Sequence, residues 1–293
     1  MSNGDSSITR SSYIDTRRVG DATVTIISEG ALNWPPRFPV SEAELRQALP
    51  EADEEGRVWI GLNVVLIRLG EALLVVDPGC DDPDSTWQRS RPRVWPNWAM
   101  TRTPGLAAAM AELGIAPDDV THVLITHPHG DHCAAVTVDR DGGFAPRFAH
   151  ARHFMGRADW EETPGRGDPS SDLARLELID RLGLLELVDE SREIVPGVTM
   201  LAAPGESPGH CIVRLVSAGE RLYILGDLVH HPSEVEHVTW APPHADAETL
   251  AASRQRVFAE VARDGSLTVT AHEQFPPWGR IVASGDGYRW ERC

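Results

Sequence analysis

The chain has 293 residues and a formal net charge of −17 at pH 7. This charge argues against nucleic acid and anionic membrane surfaces as partners, because both are negatively charged and the sequence shows no basic patch. No segment approaches the roughly 18 consecutive apolar residues of a membrane span, and the polar N-terminus lacks a secretory apolar core, so we expect a cytoplasmic protein.

The order of the predicted elements indicates one main domain. Residues 1–21 are polar and are expected to form a flexible N-terminal segment. Strands and helices then mix without a clear linker over residues 22–293, which favours a single layered domain. Within it, residues 30–60 combine a proline-rich turn, a short helix and an acidic loop, and we interpret them as an extension or lid.

Short strands dominate the first half of the predicted domain. Apolar, β-branched runs predict a strand over 22–30 and a hairpin over 61–79. Residues 81–100 are expected to form a long loop that contains three tryptophans. An alanine-rich helix is predicted over 103–114, and an apolar run over 120–126 predicts a short buried strand.

The second half alternates between helices and strands. Helical periodicity occupies about 151–162 and 171–183. The remaining predicted elements are three strands, a helix and a last strand, over residues 197–205, 211–219, 221–227, 246–263 and 266–275.

The motif THPHGDH directly follows the predicted buried strand and concentrates metal donors. Imidazole nitrogen and carboxylate oxygen are donors that zinc and similar ions prefer. His127 and His129 can converge on one point, and Gly130 permits a tight backbone that lets Asp131 and His132 face a second point. Four donors in six residues exceed what one tetrahedral ion can use beside other segments, so the motif predicts two ions. The alternative is a polar loop of solvated histidines.

Three further donors lie at predicted strand ends. His210 precedes a strand, whereas Asp227 and His272 each follow one. Loops at strand ends gather around a site on a rigid sheet. Each residue alone is a weak signal, but their order after the histidine cluster predicts a complete coordination sphere.

Together, the motifs THPHGDH, PGH, GD and AH resemble the metallo-β-lactamase superfamily of binuclear hydrolases, over about residues 22–282. The resemblance implies an αββα sandwich with the site along one edge of its two sheets. It also implies two divalent ions, with zinc as the first choice and iron, manganese or cobalt as alternatives. By that resemblance the ligands would be His127, His129 and His210 for one ion, Asp131, His132 and His272 for the other, and Asp227 between them. Asp77, at the end of an early strand, would support the metal loop.

Two positions depart from the pattern of this family. Glu206 stands where relatives often carry an outer histidine, and we expect it to lie outside the ligand set and to change local substrate contacts. His230 stands where many homoserine-lactone lactonases carry a tyrosine. The form GDLVHH is more similar to the branch that contains methyl-parathion-hydrolase-like enzymes and some broader lactonases.

The implied centre suits hydrolysis. Two divalent ions with Asp131, Asp227 and one bridging hydroxide leave a small positive charge, which favours attack on a polarised carbonyl or phosphoryl group. His230 would donate a hydrogen bond or protonate the leaving alkoxide, or it is a surface histidine. We therefore expect the bridging hydroxide to open a lactone or cleave a carboxylic ester. The alternative is phosphotriester hydrolysis, and β-lactam hydrolysis or a non-catalytic binding protein of the same fold are less favoured.

The tryptophans indicate a substrate pocket or a protein interface, and the cysteines indicate core packing. Nine tryptophans, several in predicted loops, would line a pocket for an apolar or aromatic small-molecule substrate or form a homodimer interface. The segment FPPWGR (275–280), which contains Trp278, lies just beyond His272 in sequence and is expected to form part of the mouth of such a pocket. Cys133 and Cys211 follow histidines of interest, and we expect them to pack as free thiols in the core.

Overall fold

The computed structural model describes residues 11–94, 97–168 and 171–293. In this part of the chain, the strands form a sheet of eight, a second sheet of seven and a hairpin of two. In chain order the strands are β1 (Ile14–Val19), β2 (Ala22–Trp34), β3 (Val58–Leu69), β4 (Ala72–Val76), β5 (Met100–Arg102), β6 (His122–Leu124), β7 (Thr137–Arg140), β8 (Gly143–Pro146), β9 (Arg152–Gly156), β10 (Leu185–Val188), β11 (Ser191–Val195), β12 (Val198–Ala202), β13 (Cys211–Ser217), β14 (Glu220–Ile224), β15 (Leu267–Val269), β16 (Trp278–Ser284) and β17 (Gly287–Arg292).

The helices vary from single turns to a long helix near the C-terminus. The α-helices are α1 (Glu42–Ala48), α2 (Thr86–Val94), α3 (Gly105–Glu112), α4 (Gly130–Cys133), α5 (Arg157–Glu162), α6 (Leu173–Arg181), α7 (Ser233–Glu236) and α8 (Ala247–Asp264). Short 3-10 turns occur at Pro117–Asp119, Ala134–Val136 and Gly226–Leu228. No helix in the described part of the chain has the length and apolarity needed to cross a bilayer.

The two sheets pack face to face, and helices cover their outer faces. In β3, Val65 and Ile67 point into the core between the sheets, where they meet residues of the second sheet such as Val213. Their neighbours along the strand, such as Leu66, face the outer core beneath α3 and α6. Both faces of the strand are therefore apolar, as expected for a sheet covered on both sides. On the far side, α8 packs Phe258 and its neighbours against the second sheet. The predicted αββα sandwich is confirmed.

Parallel pairing brings the ends of four strands to one edge of the sandwich. The first sheet runs β1-β2-β3-β4-β6-β9-β10, with β5 beside β2, and the second runs from β11 to β17 in order. β4 and β6 are parallel, as are β14 and β15. The carboxyl ends of each parallel pair meet, so the loops that follow them converge on one region.

Several local predictions were wrong, and long-range pairing explains most of them. Residues 14–19, expected to belong to a flexible segment, form β1 in register with β2, while residues 1–10 lie outside the described residues. The predicted loop over 81–100 contains helix α2, and its Trp95 also lies outside the described residues. The helix predicted over 151–162 begins as β9, because parallel pairing with β6 overrides local propensity.

The predicted extension over residues 30–60 packs onto the domain. Its side chains Trp34, Phe38 and Leu49 are buried in an apolar cluster that also contains Trp240. A capping box between Ser41 and Glu44 caps the N-terminus of helix α1. The extension thus has an apolar anchor beside the sandwich, and its action as a lid stays a prediction.

Candidate metal centre

The histidine-rich loop follows β6 and begins helix α4. The amides of His132 and Cys133 both donate to the carbonyl of His129, which turns the chain tightly at this point. A Cβ on Gly130 would lie 2.6 Å from Asp172 Oδ2 and 2.7 Å from the indole of Trp87. The glycine is therefore required by this close approach and not by its backbone angles.

Asp77, at the end of β4, holds this loop in place. Its carboxylate accepts hydrogen bonds from the amide and the hydroxyl of Thr126, both at 2.8 Å, and from Nδ1 of His132 at 3.0 Å. The Thr126 oxygen in turn lies 3.1 Å from Nδ1 of His127. A proton on each Nδ1 would serve these oxygens and would leave Nε2 of His127 and His132 as the metal-binding atoms that face the site.

One group of donors gathers around His132 and His272. Their Nε2 atoms lie 3.3 Å apart, and Nδ1 of His272 is 2.9 Å from the carbonyl of Gly61. Oδ2 of Asp131 lies 3.7 Å from Nε2 of His272. These three residues, predicted to serve one ion, are brought together within reach of a common cation.

A second group gathers around His127 and His129, whose Nε2 and Nδ1 atoms are 2.9 Å apart. His127 is fully buried, whereas the side chain of His129 is 46% exposed, so this group opens toward solvent. Asp227 and Glu206 complete the group.

Asp227 lies between the two groups. Its Oδ1 is 3.2 Å from Nε2 of both His132 and His272, and its Oδ2 is 3.5 Å from Nε2 of His127. Although Oδ1 is buried, no described residue makes a hydrogen bond to it. A buried carboxylate oxygen without a hydrogen bond is costly, and a cation between the groups would stabilise it.

Glu206, which we expected to lie outside the ligand set, is placed by the structure beside the donors of this second group. Its carboxylate is fully buried, with Oε1 3.3 Å from Nδ1 of His129 and Oε2 3.6 Å from Nε2 of His127. Oε1 is also 2.8 Å from Nε2 of His244, a residue that sequence reasoning missed.

His210 lies beside the same group but is turned differently. Its ring centroid is 5.3 Å from that of His127, and its Nδ1 is 3.0 Å from the carbonyl of Ala203. Its Nε2 accepts a hydrogen bond of 3.1 Å from the amide of Asp227. The structure thus places His210 next to the predicted ions, with its Nε2 directed at the backbone of the loop that carries Asp227.

The carboxylates and imidazoles of the centre shift one another's pKa values. Burial alone would raise the pKa of Asp227, but the imidazoles of His132 and His272 overcome it and hold that pKa well below its usual range. Burial opposes protonation of His132 as well, yet the Asp227 and Asp131 carboxylates hold its pKa well above the ordinary value. The pocket therefore stabilises positive charge beside these carboxylates.

His230 is held in the same pocket. Its Nε2 lies 3.3 Å from Oδ2 of Asp227, and its ring stacks on Trp34 on one side and His272 on the other. Only 7% of the surface of His230 is exposed, so it is not a surface histidine.

Glu234, also missed by sequence reasoning, fixes the backbone of this segment. Its Oε2 accepts from the amides of His230 and His231 at 2.6 and 2.9 Å, and its other oxygen pairs with buried Arg254. The spacing of four residues after His230 was the available signal, because a turn at that point brings the two side chains together.

The donor set fits hard or borderline divalent ions. The two groups found among the described residues contain imidazole and carboxylate donors and no thiolate. Cys133 and Cys211 are free and buried in the two cores, as predicted.

Comparisons with known proteins bear on the family of the chain. The family model described as "Metallo-beta-lactamase superfamily" matches residues 57–263. An N-acyl homoserine lactonase (AttM) of Azorhizobium caulinodans is 30% identical, with 66% of this chain and 72% of the relative covered. An N-acyl homoserine lactonase (AiiB) of Agrobacterium fabrum is 27% identical, with coverage of 78% and 85%.

Solved structures show the same fold. The dizinc quorum-quenching lactonase AidC has a TM-score of 0.77 at 19% identity, with coverage of 96% of this chain and 97% of its own. The hydrolase AbOPH has a TM-score of 0.78 at 20% identity, with coverage of 97% and 98%. The family model covers more than half of the chain, and the chain therefore belongs to the metallo-β-lactamase superfamily, as a metal-dependent hydrolase.

Proposed function

We propose that the chain uses two divalent ions to open the ring of a lactone or to cleave a related carboxylic ester. The observation that carries this proposal is the position of Asp227, a buried carboxylate that faces both groups of donors at 3.2 to 3.5 Å. One carboxylate between two sets of imidazoles supports a pair of ions over a single ion.

The proposed ligands follow from this arrangement and, for His210, from the resemblance to the family alone, with zinc as the first choice and iron, manganese or cobalt as alternatives. Asp227 would contact both ions. The other ligands would be His127, His129 and His210 for one ion, and Asp131, His132 and His272 for the other. Such a pair of ions makes hydroxide available near neutral pH and stabilises a developing oxyanion.

His230 is the proposed proton donor to the leaving group. It lies at the edge of the centre, and stacking between Trp34 and His272 fixes the plane of its ring. A lactone or alkyl ester leaves as an alkoxide, which needs a proton, so a fixed imidazole at this position suits that substrate class.

The aromatic cluster beside His230 supports an apolar substrate. Trp34 contacts Phe38 with ring centroids 5.8 Å apart, and Phe38 contacts Trp240 at 5.1 Å. Aromatic side chains in a row beside the centre would accept an acyl chain or an aromatic group. The N-acyl homoserine lactonases among the relatives support an acylated lactone as the first substrate to test.

Phosphotriester hydrolysis is the alternative, because the same centre would polarise a phosphoryl oxygen. The position of His230 favours the lactone, since a good phenolate leaving group gains little from a proton donor.

The deciding experiment combines metal analysis with a substrate panel. Protein with measured metal content is assayed against N-acyl homoserine lactones, simple lactones, aryl esters and aryl phosphotriesters. We expect two ions per chain, and a kcat/KM for acylated lactones above that for phosphotriesters. A single ion at full activity would contradict the two-ion centre, and a preference for phosphotriesters would contradict the lactonase assignment.

A further inference from the structure

We propose that Glu206 is a direct carboxylate ligand of the ion held by His127 and His129. This inference rests on the proposed two-ion centre and adds to it a ligand that the family pattern does not supply. It arises from a position at which this chain carries glutamate where relatives often carry histidine.

The loop that carries Glu206 is held so that the side chain points inward. Gly205 has φ +128°, and a Cβ there would lie 2.2 Å from the backbone nitrogen of Leu250, so only glycine allows this approach to helix α8. On the other side of Glu206, Asp159 accepts hydrogen bonds from the Ser207 hydroxyl at 2.9 Å and from the Gly209 amide at 2.7 Å. The loop is therefore fixed on both sides of the glutamate.

The separations around the carboxylate are those of ligands that share an ion. Its oxygens lie 3.3 Å from Nδ1 of His129 and 3.6 Å from Nε2 of His127. Two donors at about 2.1 Å from one ion lie about 3.0–3.4 Å apart when the angle between them is about 90–110°. Oε2, the oxygen nearer His127, is buried and no described residue makes a hydrogen bond to it. A buried carboxylate oxygen aimed at a nitrogen lone pair is unfavourable unless a cation lies between them.

His244 contacts only one of the two carboxylate oxygens of Glu206. Its Nε2 contacts Oε1 at 2.8 Å, and its side chain is 52% exposed. This contact leaves Oε2 directed into the centre and orients the carboxylate from the solvent side. Such a partner is what a metal-binding carboxylate commonly has.

A third carboxylate would change which ion the centre prefers. Together with Asp131 and Asp227 it adds negative charge and an oxygen donor, which favours manganese or iron relative to zinc more than histidine does. We therefore expect the site formed by His127 and His129 to favour manganese or iron, relative to zinc, more than the same site would with histidine at position 206.

The test measures metal binding in the whole protein with Zn²⁺, Mn²⁺ and Co²⁺ alone, without substrate. A chromophoric chelator competes for the ion in these titrations. The proteins compared are metal-free wild type, Glu206→Gln and Glu206→His. Glu162→Gln is the matched control, because Glu162 lines the same outer pocket of about 280 Å³ but is exposed. Unfolding by circular dichroism checks that each variant is folded.

We expect Glu206→Gln to lower the affinity for one of the two ions by at least 100-fold. This loss exceeds the usual 10- to 100-fold effect of a residue that only supports a ligand. Glu162→Gln should leave both affinities unchanged. Glu206→His should recover Zn²⁺ binding more than Mn²⁺ binding. In the Co²⁺ form, Glu206→Gln should intensify the visible absorption, because a lower coordination number gives stronger bands.

Unchanged affinities and an unchanged Co²⁺ spectrum in folded Glu206→Gln would overturn the inference and leave Glu206 as a partner of His244 alone. If the wild type takes up only one ion, the two-ion centre itself is wrong. The comparison of wild type with Glu206→Gln would still decide whether Glu206 binds that ion, so the two failures are distinguishable.

Discussion

The indole of Trp34 and the imidazole of His230 stack with ring centroids 5.4 Å apart and planes 10° apart. Trp34 belongs to the predicted extension over residues 30–60, and His230 lies beside Asp227 in the centre. A second contact joins the same two segments, because Glu51 pairs with His231 at 2.8 Å. The extension therefore contributes directly to the geometry of the proposed proton donor.

Replacing Trp34 should slow the chemical step without removing metal. Trp34→Leu keeps an apolar side chain but loses the planar stack, which is worth about 0.5–1.5 kcal/mol. We expect kcat for an acylated lactone to fall about 2- to 10-fold, while metal content stays at the wild-type value. Trp34→Phe is the matched control and should retain most activity. Equal rates for the Leu and Phe variants would show that stacking does not position His230.

Most of the candidate metal donors could be predicted because they lie at strand ends in a fixed order. His127 follows a run of apolar residues that had to be a buried strand, and parallel pairing brings Asp227 and His272 to the same edge. The position of Glu206 could not be predicted in this way. Its inward direction depends on the approach of Gly205 to Leu250, which is set by how helix α8 packs.

The environment of Trp278 illustrates the same limit. Its place in FPPWGR suggested the mouth of a pocket, but the structure buries it between the sheets, where its indole donates to Asp15 at 2.7 Å. The partner belongs to β1, in the segment expected to be flexible. A contact across 263 positions of sequence leaves no local pattern in either segment.

Removing the charge of Asp227 should remove metal. Asp227→Asn keeps the shape of the side chain but weakens the oxygen donors that face both groups. We expect the loss of at least one ion per chain and a fall in kcat/KM of more than 100-fold, since even residues that only support ligands cost about 10- to 100-fold. Elemental analysis and a lactone assay check this, with Glu162→Gln as the control. Two retained ions and a loss below tenfold would contradict the bridging position.

Glu29 should make stability depend on pH. Burial raises its pKa from 4.5 to about 8, against the opposing effect of Arg102, and its Oε2 accepts from the amide of Cys80 at 2.6 Å. Because the folded pKa is raised, its contribution to stability is fully present below about pH 4.5 and is lost as the pH rises toward 8. The free energy of unfolding of wild type should therefore fall across this window relative to Glu29→Gln.

This comparison is made by urea unfolding at several pH values, with both proteins metal-free. The difference between wild type and Glu29→Gln isolates the contribution of this carboxyl, since all other titrating groups are shared. A difference that is constant from pH 5 to 8 would show that Glu29 titrates alike in the folded and unfolded chain.

His230 should matter most when the leaving group is poor. An aliphatic lactone leaves as an alkoxide that needs a proton, whereas nitrophenolate leaves without one. We expect His230→Ala to lower kcat for an aliphatic lactone by roughly 10²- to 10⁴-fold, the usual scale of general acid catalysis. A nitrophenyl ester or phosphotriester should lose far less.

The metal content of His230→Ala separates the role of proton donor from those of a pocket residue and a metal ligand. His231→Ala is the matched control. His231 neighbours His230 but pairs with Glu51 and not with Asp227, so its replacement should not distinguish between the two kinds of leaving group. If His230→Ala slows both substrate types equally while both ions remain, His230 shapes the pocket and is not the acid. If an ion is lost as well, His230 is itself a ligand, because its Nε2 already lies 3.3 Å from Oδ2 of Asp227.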